Sequence, residues 1–474
     1  MPSTPLPSTP ATTSPVTSTS TSTSASHDRA GATLAVTSAA TTVALMNYTV
    51  PMLTLPDLTA DFGTATSAQA WLLNGAPLGL AALLLVAGSL ADDYGRRRLF
   101  LAGTLGLALT TGLGALAGST LTFTLARIAQ GASSAAIIAS SLGLLVHAFP
   151  PGPGRIRATG VWGAFVSAGI ATGPLLAGAL GTYGWQQPYA VLATAALVVA
   201  VLAFRTLAES RAPRGGRPDL AGAVVLGAAM TALLSALTLG RDGWLRTPVV
   251  LLLVAAAVLT GAFAAVERRG GAPLIDLGLL GRRPFQAATA GALITGLAVI
   301  GLFSYLPTLL MLTLGISPMG AAGLFVLWSG TAFLTALQTR RLAGRVAARH
   351  QLALGFALHA AGALSMLGAV SAGSWGRLVP GLLVAGAGSG LLNAALPRLS
   401  VESVPQERAA MGSGANNTAR YIGSAAGVAL LIAVATSAKT AEHGTDLAIL
   451  VSTGLTLLGT ALVLALRDGP AGRN

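Results

Sequence analysis

The chain has 474 residues, 53% of them hydrophobic and only 9% charged, with a mean hydropathy of +0.72. Apolar stretches run from end to end, which excludes a soluble multidomain protein and points to one all-α polytopic membrane domain. The net charge of +13 comes from arginines scattered in short clusters without interleaved aromatics, so nucleic acid is excluded as a partner; with no Cys, disulfides and thiolate metal sites are excluded too.

Residues 1–28 are almost entirely Ser, Thr, Pro and Ala and read as a disordered cytoplasmic tail. A spanning helix needs about 20 apolar residues. That rule predicts fourteen spans, near 30–55, 67–90, 98–117, 120–148, 158–180, 187–207, 219–240, 247–267, 285–308, 317–338, 350–371, 376–397, 409–436 and 444–466. With both termini cytoplasmic, external loops hold Arg241, Arg246, Arg377 and Lys439, spans hold Arg127 and Arg420, and every other basic residue lies inside. The positive-inside rule therefore supports this orientation and an even number of spans.

Span 1 carries MNYTVPMLTLP, with Asn47 at its centre, and Trp71 and Asn74 lie near the start of span 2. Between spans 2 and 3 runs GSLADDYGRRRLF, two acids and three arginines in a tight turn between apolar helices. Gly88, Asp92, Gly95, Arg96 and Arg97 make it resemble the loop G-x-L-A-D-R-x-G-R-[KR] of the major facilitator superfamily, with Asp93 where that family usually has Arg. The resemblance implies a conformational latch docking Asp92 and Arg96–Arg98 against neighbouring cytoplasmic helix ends.

In span 4, Arg127, Gln130 and Gly131 share one helical face. A buried Arg is costly in hydrocarbon, so Arg127 must face a cavity or tie helices together. In the family the equivalent Arg is associated with proton coupling. Span 5 places Gly160, Gly169, Gly173, Pro174 and Gly178 in the antiporter spacing G-x8-G-x3-G-P-x2-G-G, with Ala177 replacing one Gly. In the family that motif favours export over uptake.

Spans 7 and 8 lack conspicuous polar residues at their centre and look like a hairpin inserted between two six-span halves. The expected organisation is a six-helix bundle over 29–207, an inserted two-helix hairpin with linkers over 208–284, a second six-helix bundle over 285–466 and a tail over 467–474. A weaker basic latch, QTRRLAGRVAARH at 338–350, suggests internal repetition. Span 13 sets Asn416, Asn417, Arg420 and Ser424 on adjacent turns, which resembles the same helix in the fourteen-span drug/proton antiporters.

Against that branch, the chain has Asn47 where an intramembrane Asp is usual, Met311 where Gln is common and Trp328 where Pro is common. Every acid lies in a loop or near a helix end. Three alternatives follow: protons carried by Asp57 or Asp61, protons carried by His359 or His147, or coupling lost altogether. In the last case a cavity lined by Arg127 and Arg420 is electropositive and suits an acidic or neutral metabolite.

The resemblance implies a secondary active transporter of the bacterial cytoplasmic membrane that exports a hydrophobic drug, antibiotic or self-made metabolite by alternating access. The lipid bilayer and that small molecule are the expected partners, the protein is expected to be monomeric, and the proton gradient or membrane potential is the energy source with no cofactor. No cluster of nucleophile, metal ligands or acid/base pair suggests an enzyme, and no soluble output domain suggests a sensor.

Overall fold

The computed structural model describes residues 19–64, 66–211, 220–240, 243–269, 277–342 and 345–466. Most of the Ser/Thr/Pro-rich tail, the C-terminal tail and parts of both long linkers lie outside them. Helices occupy every predicted span. Among the described residues, twelve are long and apolar enough to cross a membrane.

The first predicted span is two helices, α1 (Thr19–Thr49) and α2 (Pro51–Phe62). Pro51 lacks a backbone donor and opens α2, while Gly63 ends it in the left-handed conformation at φ 59°. α3 (Thr66–Tyr94) and α4 (Arg96–Ala115) are joined by Gly95 alone, whose φ of 122° few side-chain-bearing residues adopt. α5 (Thr120–Ala148) starts at a capping box made by Ser119 and Thr122. α6 (Pro153–Leu180) and α7 (Gln186–Thr206) complete the first set, and α8 (Leu220–Leu239) and α9 (Thr247–Arg269) follow.

The ninth predicted span begins as α10 (Arg283–Ile294), widens into a π turn over Thr295–Ile300, and resumes as α11 (Gly301–Leu314). Then come α12 (Pro318–Gln338), α13 (Ala348–Ser365), α14 (Leu378–Glu402), α15 (Ala409–Ser437) and α16 (Ala441–Ala465). α1 and α13 are the two packed helices at predicted spans that are not among the twelve.

α1, α3, α4, α5 and α7 pack mainly on one another, as do α10–α16, while α6 packs on α1 and as extensively on the second set. The two sets meet where α3 lies along α15 and where α6 lies along α12 and α14. α8 packs on α3 and α15, whereas α9 packs mainly on α8. Large apolar side chains such as Leu109, Phe204, Val224 and Val258 are exposed on the outside, as a lipid environment requires.

Candidate functional site

The Arg127 guanidinium is fully buried between α1 and α5. Its Nη1 donates to the Asn47 carbonyl at 2.7 Å, to Asn47 Oδ1 at 2.7 Å and to Gln130 Oε1 at 2.8 Å. Asn47 Nδ2 in turn donates to Thr111 at 2.6 Å, and Gln130 Nε2 donates to the Thr110 carbonyl at 3.2 Å. Neutral acceptors thus hold a charge that a carboxylate would ordinarily balance. The network joins α1, α4 and α5, and Arg127 lines neither of the two principal cavities.

The larger cavity, about 470 Å³, lies between the two helix sets away from the Gly95 turn. Met52 and Pro56 of α2, Asn74 of α3, Pro174 of α6 and Met311 of α11 line it. Leu234, Leu237 and Thr238 bring α8 into the same wall, so the hairpin without central polar residues does contribute surface to the chamber. A second cavity of about 60 Å³ adjoins it, because Tyr48, Phe303, Phe325 and Tyr421 border both. Arg420, Trp328 and Ser389 are among its walls. Among the described residues, no Asp or Glu lines either cavity.

The end bearing the Gly95 turn is closed. Asp92, wholly buried, pairs with Arg96 at 2.7 Å and accepts the Met411 amide at 2.9 Å and the Ala410 amide at 3.4 Å. Those amides open α15, so a carboxylate of the first set caps a helix of the second, where the helix dipole favours negative charge. Arg96 donates to the Glu407 carbonyl at 2.8 Å. Asp93, the departure from the family pattern, pairs with Arg408 at 3.2 Å. The backbones interlock as well: an added Cβ would strike the Ala410 carbonyl at Gly88, the Asn393 carbonyl at Gly163 and the Leu84 carbonyl at Gly414.

Arg97 and Arg98 do not join this seal. Arg97 donates to the Phe204 carbonyl at 2.7 Å and lies over the Phe204 ring, while Arg98 meets Glu209 at 3.6 Å on the surface. Both remain within the first set. The basic latch of the second half, 338–350, lies partly outside the described residues.

The antiporter-motif glycines are points of close approach. A Cβ at Gly169 would meet Thr42 and Leu45 of α1, one at Gly173 would strike Thr49, and one at Gly178 would press on Met319 of α12. Gly160 faces Thr339. Of the span-13 residues, Asn416 donates to the Ala288 carbonyl at 2.9 Å, Asn417 accepts from Arg420 at 2.8 Å, and Ser424 lines the chamber.

Trp71 packs beside the core at the start of α3. His359 is buried against the Phe303 ring and lines neither cavity. Asp61 accepts from Trp185 Nε1 at 2.9 Å, and Asp57 is exposed on α2. Tyr48, Phe303, Ser389, Asp93 and Arg408 were not legible as site residues. Aromatic and Ser positions in an apolar helix carry no sign of which face they take, and the two charges are a pair only in space.

The family model described as Major Facilitator Superfamily matches residues 37–428. The probable actinorhodin transporter of Streptomyces coelicolor is 35% identical over 78% of this chain and 66% of its own length. The puromycin resistance protein of Streptomyces alboniger is 33% identical over 81% of this chain and 78% of its own. The cephamycin export protein of Amycolatopsis lactamdurans is 34% identical over 79% of each. The match to the first of these spans just under two thirds of that relative's length.

Among solved structures, the human organic anion transporter MFSD10 superposes with a TM-score of 0.66 at 18% identity, over 92% of this chain and 99% of that one. The proton:xylose symporter XylE superposes at 0.67 and 14%, over 93% and 96%. At such identities the likeness is one of fold.

Proposed function

The chain belongs to the major facilitator superfamily, and from that premise we propose that it is a secondary active exporter of a hydrophobic small molecule. It is a transporter rather than an enzyme, and a multi-pass protein of a bacterial membrane. One observation carries the transport reading: a 470 Å³ chamber between the helix sets, paired with a seal across the opposite end made of Asp92, Arg96 and the start of α15. Its direction, export, is supported by relatives named for export and resistance. In our reading the sealed end is cytoplasmic, so this conformation faces outward after release.

α1 and α13 are read as the remaining two spans, giving fourteen helices in two six-helix bundles related by a pseudo-twofold axis along the membrane normal. α8 and α9 are the added pair, with both termini cytoplasmic. The working unit is a monomer in the cytoplasmic membrane, and the chain belongs in the drug/proton antiporter branch. Its relatives' names, which include antibiotic export and resistance proteins, support a drug, an antibiotic or a self-made metabolite as cargo.

Proton exchange is the first reading of the energy source. A second is favoured by Asn47, which cannot titrate, and by the lack of any acid among the described residues that line the cavities. On that reading the membrane potential drives an acidic cargo outward, at about 2.3 kcal/mol per charge per 100 mV. Proteoliposomes with the pH gradient and the potential varied separately test both. Efflux of acidic probes driven by potential alone supports the second, efflux driven by the pH gradient alone supports the first, and no movement of any lipophilic probe overturns export.

A further inference from the structure

The 60 Å³ cavity beside the chamber is lined by an unusual set of polar residues, Trp328, Ser389 and Arg420. Each carries a buried atom, Trp328 Nε1, Ser389 Oγ and Arg420 Nε, with no hydrogen-bond partner among the described residues. They come from α12, α14 and α15, so no single helix accounts for their convergence. Trp328 and Arg420 nitrogens can only donate, and a buried donor without an acceptor is costly. Two such donors on residues around one void, with a Ser389 hydroxyl that can also donate, mark a place where an acceptor belongs.

The surroundings define that acceptor. Arg420 brings a positive charge, donates to Asn417 Oδ1 at 2.8 Å and lies over the Tyr421 ring at 5.4 Å. The Trp328 indole is fixed by stacking on Phe303, with centroids 4.2 Å apart and planes 14° apart. The π turn at Thr295–Ile300 forms another wall, and an added Cβ at its Gly296 would collide with the Arg420 carbonyl. Helices of this rare kind recur at functional sites. The void, about 60 Å³, is small beside the 470 Å³ chamber, so it suits a polar end group of a cargo better than its apolar body.

We propose that this cavity is the subsite for the ionised carboxylate or phenolate end of the cargo, gripped by Arg420, Trp328 and Ser389 while the apolar body lies in the larger chamber. The proposal rests on the export reading and adds to it a chemical class of substrate. Cations are disfavoured there, because Arg420 repels them and no acid among the described residues lines either cavity.

The test is equilibrium binding of a matched pair, anthracene-9-carboxylic acid and its methyl ester, to the full-length chain in lipid nanodiscs at neutral pH. A charge-assisted contact with a buried Arg predicts that the acid binds about 10- to 100-fold tighter than the ester. Arg420→Gln should bring that ratio close to one, and Trp328→Phe, which keeps the stack and removes the donor, should lower it about threefold or more. Trp328→Phe carries the test if Arg420→Gln does not fold. Equal binding of acid and ester by the wild type, or a ratio unchanged in folded variants, overturns the subsite. An intact preference in a protein that moves no lipophilic probe of any charge would leave the subsite standing and sink the export reading.

Discussion

Asp92, at the end of α3, accepts the backbone amide of Met411 at 2.9 Å, so one carboxylate of the first helix set closes the N-terminus of a helix in the second. The same carboxylate holds Arg96, which reaches on to the Glu407 carbonyl. The seal therefore depends on a charged acceptor. Its removal should shift the conformational balance and leave folding intact.

Asp92→Asn is expected to lose about 2–3 kcal/mol of closure, enough to change the balance of states by a factor of about 30 or more. The chain has no Cys, so a single cysteine can report on this. Ser413 is fully buried beneath the seal. In Ser413→Cys, maleimide labelling should be slow, and adding Asp92→Asn should speed it about tenfold or more. An unchanged labelling rate would count against the latch.

Gly163→Ala should open the same end by a different route, since its Cβ would occupy the place of the Asn393 carbonyl. Backbone cannot yield as a flexible side chain can. Transport should fall and Ser413→Cys should become reactive, whereas Gly118→Ala, with nothing within 4 Å of its added Cβ, should match the wild type in both.

The pair between Asp93 and Arg408 crosses the halves and replaces the family's usual Arg. Asp93→Arg would set two cations against each other, slowing transport. The exchange Asp93→Arg with Arg408→Asp should recover most of the loss. Arg408 is partly exposed, with a side-chain accessibility of 29%, so the coupling should be about 1 kcal/mol in a double-mutant cycle. Additive effects in that cycle would mean the pair contributes nothing.

Asn47→Asp would give Arg127 a carboxylate at a position where Oδ1 already lies 2.7 Å away. The fold should persist with a melting temperature raised by a few degrees, about 1 kcal/mol of added stability. Efflux in the variant should depend more steeply on the pH gradient than it does in the wild type. Arg127→Met, by contrast, strands the Asn47 and Gln130 oxygens and should cost about 2–5 kcal/mol in thermal unfolding. A variant as stable as the wild type would remove the network from any structural role.

Much of the fold was legible because a membrane asks little of a span beyond length and apolarity. The turn at Gly88–Phe100 was legible too, because Asp92 and Arg96 are four residues apart and pair on the chain's own turn. Arg98 was expected at the seal and lies instead beside Glu209, on the surface. Composition does not say which way a helix is rotated. That rotation also put Arg127 in a closed network, left Arg420 at a cavity, and turned part of α8 toward the chamber.

Taken alone, the sequence determined an all-helical membrane protein with a charged turn, closely packed glycines, two intramembrane arginines and no acid near the centre of a span. Those are consequences of hydrophobicity and of contacts within a few residues. The tertiary structure alone decided that Asp93 meets Arg408, that the end near Gly95 is closed while a chamber lies beyond it, and that Trp328, Ser389 and Arg420 converge on one small void. Each depends on residues tens to hundreds of positions apart. Their meeting is set by how helices pack against one another, which a chain read in order does not encode locally.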